Sequence, residues 1–215
     1  MIPDWATERR RMVEVQLRRR GIRDGRVLAA MNAVPREEFV SAESRVEAYA
    51  DGPTHVGYGQ TISQPYMTAL MAELLRLTGT ETVLEVGAGC GYAAAVLGQL
   101  AARVVAVELI PALACLAREN LRRTGRDGNI TVVDGDGWFG YPPLAPYRAI
   151  SVAAAAPEIP AALLAQLDDP GCLVIPVGAG IDQELRSLWK RAGRIDSRVA
   201  TLCRFVPLRG GGGRE

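Results

Sequence analysis

Two kinds of hydrophobic pattern take turns along the chain. Short unbroken apolar runs, bounded by glycine, proline or acidic residues, are followed by stretches whose apolar positions return every three or four residues. The first kind suits strands buried on both faces, which show no polar alternation. The second suits amphipathic helices. Strands are therefore predicted over residues 82–86, 104–107, 130–133, 149–152 and 171–177, with two more over 184–190 and 199–206. Helices are predicted over 66–77, 92–100, 110–124 and 160–167. Upstream, residues 7–20 carry a helical pattern stopped by Gly21, and Asp24 is placed to cap a short helix over 25–32 that Pro35 closes. These first helices have no strands of their own, so they are expected to pack as an N-terminal extension.

Strand and helix alternate at parallel-sheet spacing, which predicts an α/β domain with a doubly wound, mostly parallel, seven-stranded Rossmann-like sheet. One domain is expected over 1–215, with N-terminal helices and a loop in 1–77, the α/β core in 78–208 and a disordered tail, RGGGGRE, in 209–215. Residues 49–66 (YADGPTHVGYGQTISQPY) form a long stretch dense in glycine and proline. A loop of that length inside a compact domain points to function.

Composition narrows the classes. The 215 residues are 48% hydrophobic and 23% charged with net charge +1, enough for one full core and too neutral to favour nucleic acid. The arginines at 9–11 and 18–20 accordingly read as a solvated helix face. No apolar run approaches the roughly 20 residues of a membrane span, and the N-terminus lacks a signal-peptide core. Four scattered cysteines without a CxxC pair, and a single histidine, His55, suggest neither a disulfide framework nor a metal site. The expectation is a cytoplasmic, metal-free monomer that binds neither nucleic acid nor membrane.

The chemistry concentrates after the first buried strand. TVLEVGAGCGYAAA is a strand, a turn on Gly87, Gly89 and Gly91, and a helix whose first amides face the turn. The dinucleotide fingerprint needs glycine at the first, third and sixth positions, and Tyr92 stands at the sixth. No Gly-Lys-Ser/Thr follows, which excludes a P-loop. Glu108 ends the next buried strand, where a carboxylate can accept bonds from both ribose hydroxyls. NAD and S-adenosylmethionine (SAM) share an adenosine, so Glu108 suits both, and only the glycine spacing favours SAM.

The E-x-G-x-G-x-G pattern from Glu85 to Gly91 resembles motif I of class I SAM methyltransferases. RGIRDGRVLAAMNAVPREEFV, AYADGP, GYGQTISQPYMTALMAELL, GDGWFG, AAAAPEIPAAL, QLDDPGCLVIPVG and RFVPL extend the likeness over residues 12–208. In that order they resemble the protein-L-isoaspartate O-methyltransferase family. The resemblance implies a class I methyltransferase fold, SAM as cofactor with S-adenosylhomocysteine as product, and a protein or peptide substrate bearing an isoaspartyl residue. The methyl ester formed there is attacked by the neighbouring backbone nitrogen, and the succinimide hydrolyses partly to aspartate. Such an acceptor is already a carboxylate at neutral pH, so no general base is required.

Residue by residue, the resemblance implies Ser63 as the catalytic-site serine beside the methyl group. It implies cofactor contacts from Thr61, Ile62, Glu85, Gly87, Gly89, Gly91, Glu108, Asp136 and Gly137, and substrate contacts from His55, Val56, Ala154 and Ala155. Ser63 could equally cap the helix that Pro65 begins. The chain departs from the family pattern at Pro53-Thr54-His55-Val56-Gly57, at Arg148 where an acid is usual, and at Ala153. Two of these fall where the acceptor should lie, which leaves open a relative that methylates a normal aspartate in one ribosomally made peptide to give aspartimide or isoaspartate. An NAD oxidoreductase is disfavoured by Tyr92 and by the lack of an acid/base set. A SAM-binding module without activity is disfavoured because Ser63, Glu108 and Asp136 are all present.

Overall fold

The computed structural model describes residues 3–180 and 182–211. Seven strands form one sheet: β3 (Thr82–Val86), β4 (Arg103–Glu108), β5 (Ile130–Asp134), β6 (Tyr147–Val152), β7 (Leu167–Ala179), β8 (Asp182–Arg191) and β9 (Arg194–Cys203). Their order is β5-β4-β3-β6-β7-β8-β9, with the first five parallel and the last two antiparallel. Two short strands, β1 (Thr54–Gly57) and β2 (Gln60–Ile62), pair as a separate ribbon inside the segment predicted to be irregular.

Residues Val83, Leu84 and Val86 of β3 are at most 1% exposed, as expected for a strand covered on both faces. Side chains alternate across it. Val83 joins a core with Val104, Ala106 and the helices α1 (Trp5–Arg11), α2 (Gly25–Ala33), α3 (Pro65–Leu74) and α4 (Tyr92–Gly98). Leu84 and Val86 join Val105, Ile150 and Leu173 on the other face, under Leu163 of α6 (Ala161–Gln166). α5 (Pro111–Arg123) covers β4 and β5 and packs on α4. Burying each Val or Leu contributes about 1.5–3 kcal/mol, so the sheet's stability lies in these two apolar layers.

Ends follow local chemistry. Asp4 accepts from the Ala6 and Thr7 amides, so α1 starts two residues before the predicted helix. It continues as a wide turn (Met12–Leu17) and a tight one (Arg18–Arg20) to Gly21, whose φ of +102° ends it. Asp24 caps α2 as expected, accepting from Arg26 and Val27. The arginine face is partly engaged: Arg20 pairs with Asp51 at 2.9 Å and lies over the Tyr66 ring.

The last strand differs from its prediction. β9 runs over Arg194–Cys203 rather than 199–206, and residues 194–200 are exposed, so a polar edge strand carried no buried pattern to read. Residues 204–208 instead leave the sheet and cross its end, where Pro207 bridges to Ala155. Of the tail expected to be disordered, residues 209–211 continue beside Asp136, whose carboxylate accepts from the Gly211 amide at 2.8 Å. Residues 212–215 lie outside the described residues. No helix among the described residues is long and apolar enough to cross a membrane.

Candidate active site

From β3 the chain runs outward through β4 to β5, then returns to place β6 on the other side of β3. This reversal opens a crevice beyond the carboxyl ends of β3 and β6, where ligands of open α/β sheets bind. The glycine turn fills one side of it. Gly87 and Gly89 hold φ of +88° and +54°, a region that side chains with a Cβ adopt at a cost. The Gly87 and Ala88 amides donate to the Val107 carbonyl at 2.9 and 3.2 Å, pinning the turn to β4.

Glu108 completes that attachment. Its Oε2 accepts from the Gly89 amide at 2.8 Å and its Oε1 from the Ile110 amide at 3.0 Å. Each carboxylate oxygen keeps acceptor capacity. The side chain therefore shapes the turn and still presents a charge to the crevice.

The crevice is a cleft of about 850 Å³, counting its open mouth. Thr61, Ile62, Ser63, Gly87, Gly89, Glu108, Ile110, Gly137 and Ala154 all line it. Residues 206–209 complete the lining. A second, wider groove of about 1660 Å³ runs past Arg20, Pro53, Gln64, Tyr66 and residues 201–206. Thr61, Ser63, Ala153 and Val206 line both spaces. The two spaces thus meet at Ser63. Gln64, not Ser63, occupies the cap position of α3 and makes no side-chain cap bond there, so the Ser63 hydroxyl is not committed to that helix.

Several expected site residues stand elsewhere. Gly91 (φ +89°) is off the cleft wall; a Cβ there would come within 3.2 Å of the Ala117 backbone, so this glycine lets α4 approach α5. Glu85 points the same way as Val83, into the layer beneath α3 and α4. It lines an inner cavity of about 340 Å³ with Ser63, Thr68, Ser151 and Ala153. It is 1% exposed and neither carboxylate oxygen has a hydrogen-bond partner. Burial, and secondarily the Glu108 charge, push its carboxyl well above the usual range. Asp136 caps the turn Gly137–Phe139 through the Trp138 amide at 2.9 Å and accepts from Gly211; it is not on the cleft wall, whereas Gly137 is.

On the acceptor side, His55 is exposed on β1 and Val56 packs against the helical core, and neither lines cleft or groove. Ala155 is held by its own main chain, its amide donating to Val206 and its carbonyl accepting from Leu208. Arg148 lies at the opposite end of β6, bonded to the Pro170 carbonyl, far along the strand from Ala153. Ala153 borders all three cavities, and residues 206–209 line the cleft. Ala153 was expected on the acceptor side as a departure from the family pattern; no contact was expected of residues 206–209, although the RFVPL run was their signal. The nearby Cys90 thiol is no nucleophile, since burial pushes it up to about 11.

A doubly wound sheet that keeps a small-molecule cleft at its switch point and opens a second groove onto it has the architecture of the class I methyltransferases. Solved relatives share it over nearly the whole chain. One, described as a protein-L-isoaspartate O-methyltransferase, superposes with a TM-score of 0.84 at 28% identity, over 95% of this chain and 67% of its own. Another, from Plasmodium falciparum in complex with S-adenosyl-L-homocysteine, gives 0.83 at 26% identity, over 94% and 98%. The family model for protein-L-isoaspartate(D-aspartate) O-methyltransferase matches residues 7–213, and the chain belongs to that family. Relatives named protein-L-isoaspartate O-methyltransferase include one from Methanoregula boonei, 51% identical over 97% of this chain and 95% of its own. Another, from Methanoculleus marisnigri, is 53% identical over 94% and 92%.

Proposed function

We propose that this chain methylates the free carboxylate of L-isoaspartyl residues in proteins or peptides, with SAM as methyl donor. The observation that carries the proposal is the shared wall. Thr61, Ser63, Ala153 and Val206 border both the cleft over the glycine turn and the wider groove, so a small cofactor and a peptide can meet there. The residues present fit the cofactor: a Cβ at Gly89 would enter open space, and Glu108 lines the cleft and offers acceptors for a ribose diol. When bound, SAM supplies an electrophilic methyl group on a positively charged sulfur.

The chain's own residues then have three tasks. Thr61, Ile62, Gly87, Gly89, Glu108 and Gly137 bind the cofactor along the cleft. The groove strips water from the acceptor, an α-carboxyl with an ordinary pKa of about 3.3–3.7 that is ionised at neutral pH and so needs no base. Ser63 donates its hydroxyl to one carboxylate oxygen, leaving the other aligned for in-line attack. Asp136 supports the site indirectly, by capping the turn that presents Gly137. The ester produced closes onto the neighbouring backbone nitrogen as a succinimide, which opens in part to normal aspartate.

The test supplies purified protein with labelled SAM and two matched peptides, one isoaspartyl and one aspartyl. Label in the isoaspartyl peptide alone supports the proposal. Label in the aspartyl peptide, or in neither while S-adenosylhomocysteine still binds, assigns the chain to a dedicated peptide instead. Absence of cofactor binding by calorimetry refutes the whole assignment.

A further inference from the structure

Arg36 has no part in the cofactor or acceptor contacts above, yet it is the largest fully buried side chain among the described residues, 0% exposed. Among those residues no carboxylate stands within ion-pair distance of it. A guanidinium stays charged at neutral pH even where burial lowers its proton affinity. A buried charge without a counterion is costly, so its surroundings must compensate in another way.

They do so in part, with main-chain oxygens on two of its three nitrogens and a ring against its face, while Nη1 has no hydrogen-bond partner among the described residues. Nε donates to the Ala48 carbonyl at 2.6 Å and Nη2 to the Ser63 carbonyl at 2.8 Å. The guanidinium carbon lies 4.9 Å from the centroid of the Tyr92 ring, which Phe39 supports edge-on at 5.6 Å. These three anchors belong to different parts of the site. Ala48 precedes the ribbon β1–β2, Ser63 follows it, and Tyr92 is the first residue of α4 after the glycine turn. One side chain therefore ties the acceptor segment to the cofactor turn.

We propose that Arg36 is a positioning residue for methyl transfer: through the Ser63 carbonyl and the Tyr92 ring it fixes the Ser63 main chain relative to the glycine turn, and so holds the Ser63 hydroxyl where cleft and groove meet. The inference rests on the function proposed above. An arginine suits the task because its planar fork offers divergent donors and a flat face at once. A lysine gathers its three donors on one nitrogen, with neither a fork to span the two carbonyls nor a flat face to lie against the Tyr92 ring.

The experiment uses Arg36→Lys and Arg36→Gln, each alone and combined with Ser63→Ala. Calorimetric titration with S-adenosylhomocysteine counts competent cofactor sites, and kcat and KM for an isoaspartyl peptide are expressed per site. For Arg36→Lys we expect cofactor affinity within threefold of the original protein and kcat per site at least tenfold lower. In the Ser63→Ala background the same change should cost less than threefold, because the group being positioned is already gone. A full tenfold loss in that background overturns the proposal, as does an unchanged kcat per site with merely fewer sites. If neither variant binds S-adenosylhomocysteine, Arg36 is a folding element and the proposal fails. An original protein that binds cofactor without methylating the isoaspartyl peptide overturns the functional reading itself, a result visible before any variant is made.

Discussion

Glu108 is asked to do two things at once, and a single substitution separates them. Glu108→Gln keeps the shape and replaces one carboxylate oxygen with an NH2 group. In the native protein the two oxygens accept from the Gly89 amide at 2.8 Å and the Ile110 amide at 3.0 Å. The glutamine can accept from only one of them, so the other N–H faces a donor in a site only 6% exposed. Leaving such a group unpaired costs about 1–3 kcal/mol. In a chain of this length each kcal/mol lowers the melting temperature by roughly 2–4 °C, so cofactor-free protein should melt roughly 2–12 °C lower. Affinity falls separately, because one charged acceptor for the ribose is lost. A hydrogen bond to a charged group contributes about 1.5–3 kcal/mol, so S-adenosylhomocysteine should bind roughly 10- to 150-fold more weakly. Scanning calorimetry without ligand and isothermal titration with it measure the two effects on one sample. A lowered melting temperature with affinity within threefold would leave Glu108 as a latch for the turn alone. If neither changes, the account of the site is refuted.

Three further outcomes are expected. Gly91→Ala should cost about 2–4 kcal/mol of stability, from a left-handed backbone and contact with Ala117 at 3.2 Å, while S-adenosylhomocysteine affinity at 25 °C stays within a few-fold; urea unfolding and titration check it, and a large affinity loss would return Gly91 to the cleft. Glu85 holds its proton more tightly in the folded protein than in the unfolded chain, so its effect on stability turns unfavourable as pH rises from its ordinary value near 4.5 towards the raised native one. Glu85→Gln should therefore gain stability over the original protein between pH 5 and pH 8 in urea titrations without cofactor, and an equal difference at both pH values contradicts the buried, unpaired state. Ser63→Ala should slow transfer to an isoaspartyl peptide about tenfold or more with cofactor affinity within a few-fold, as for loss of a donor to the reacting group; an unchanged kcat removes the hydroxyl from the reaction.

Much of the core was legible in one dimension. β3 occupies residues 82–86 as predicted, because a strand covered on both faces has to be apolar throughout and the glycines after it mark where the backbone turns left-handed. Asp24 and Gly21 were legible for the same local reason: a cap and a stop act on residues within one helical turn. β9 was misplaced because an exposed edge strand needs no apolar pattern. His55 drew attention as the single histidine in a glycine-rich loop, yet its direction depends on a ribbon whose pairing no local signal specifies.

The sequence by itself determined the parallel core, the glycine turn and the acid at the end of the next strand, since each is written in residues close to one another along the chain; that Glu108 also anchors the turn through Gly89 came from the fold. Only the tertiary structure decided how the remaining residues divide the work. It turned Gly91 towards α5 and Glu85 under α3, and it buried Arg36 between Ala48, Ser63 and Tyr92. It also brought Thr61, Ser63, Ala153 and Val206 to one shared wall. Those relations join segments far apart in the chain, and they exist only once the sheet order and its two helical layers set the distances between them.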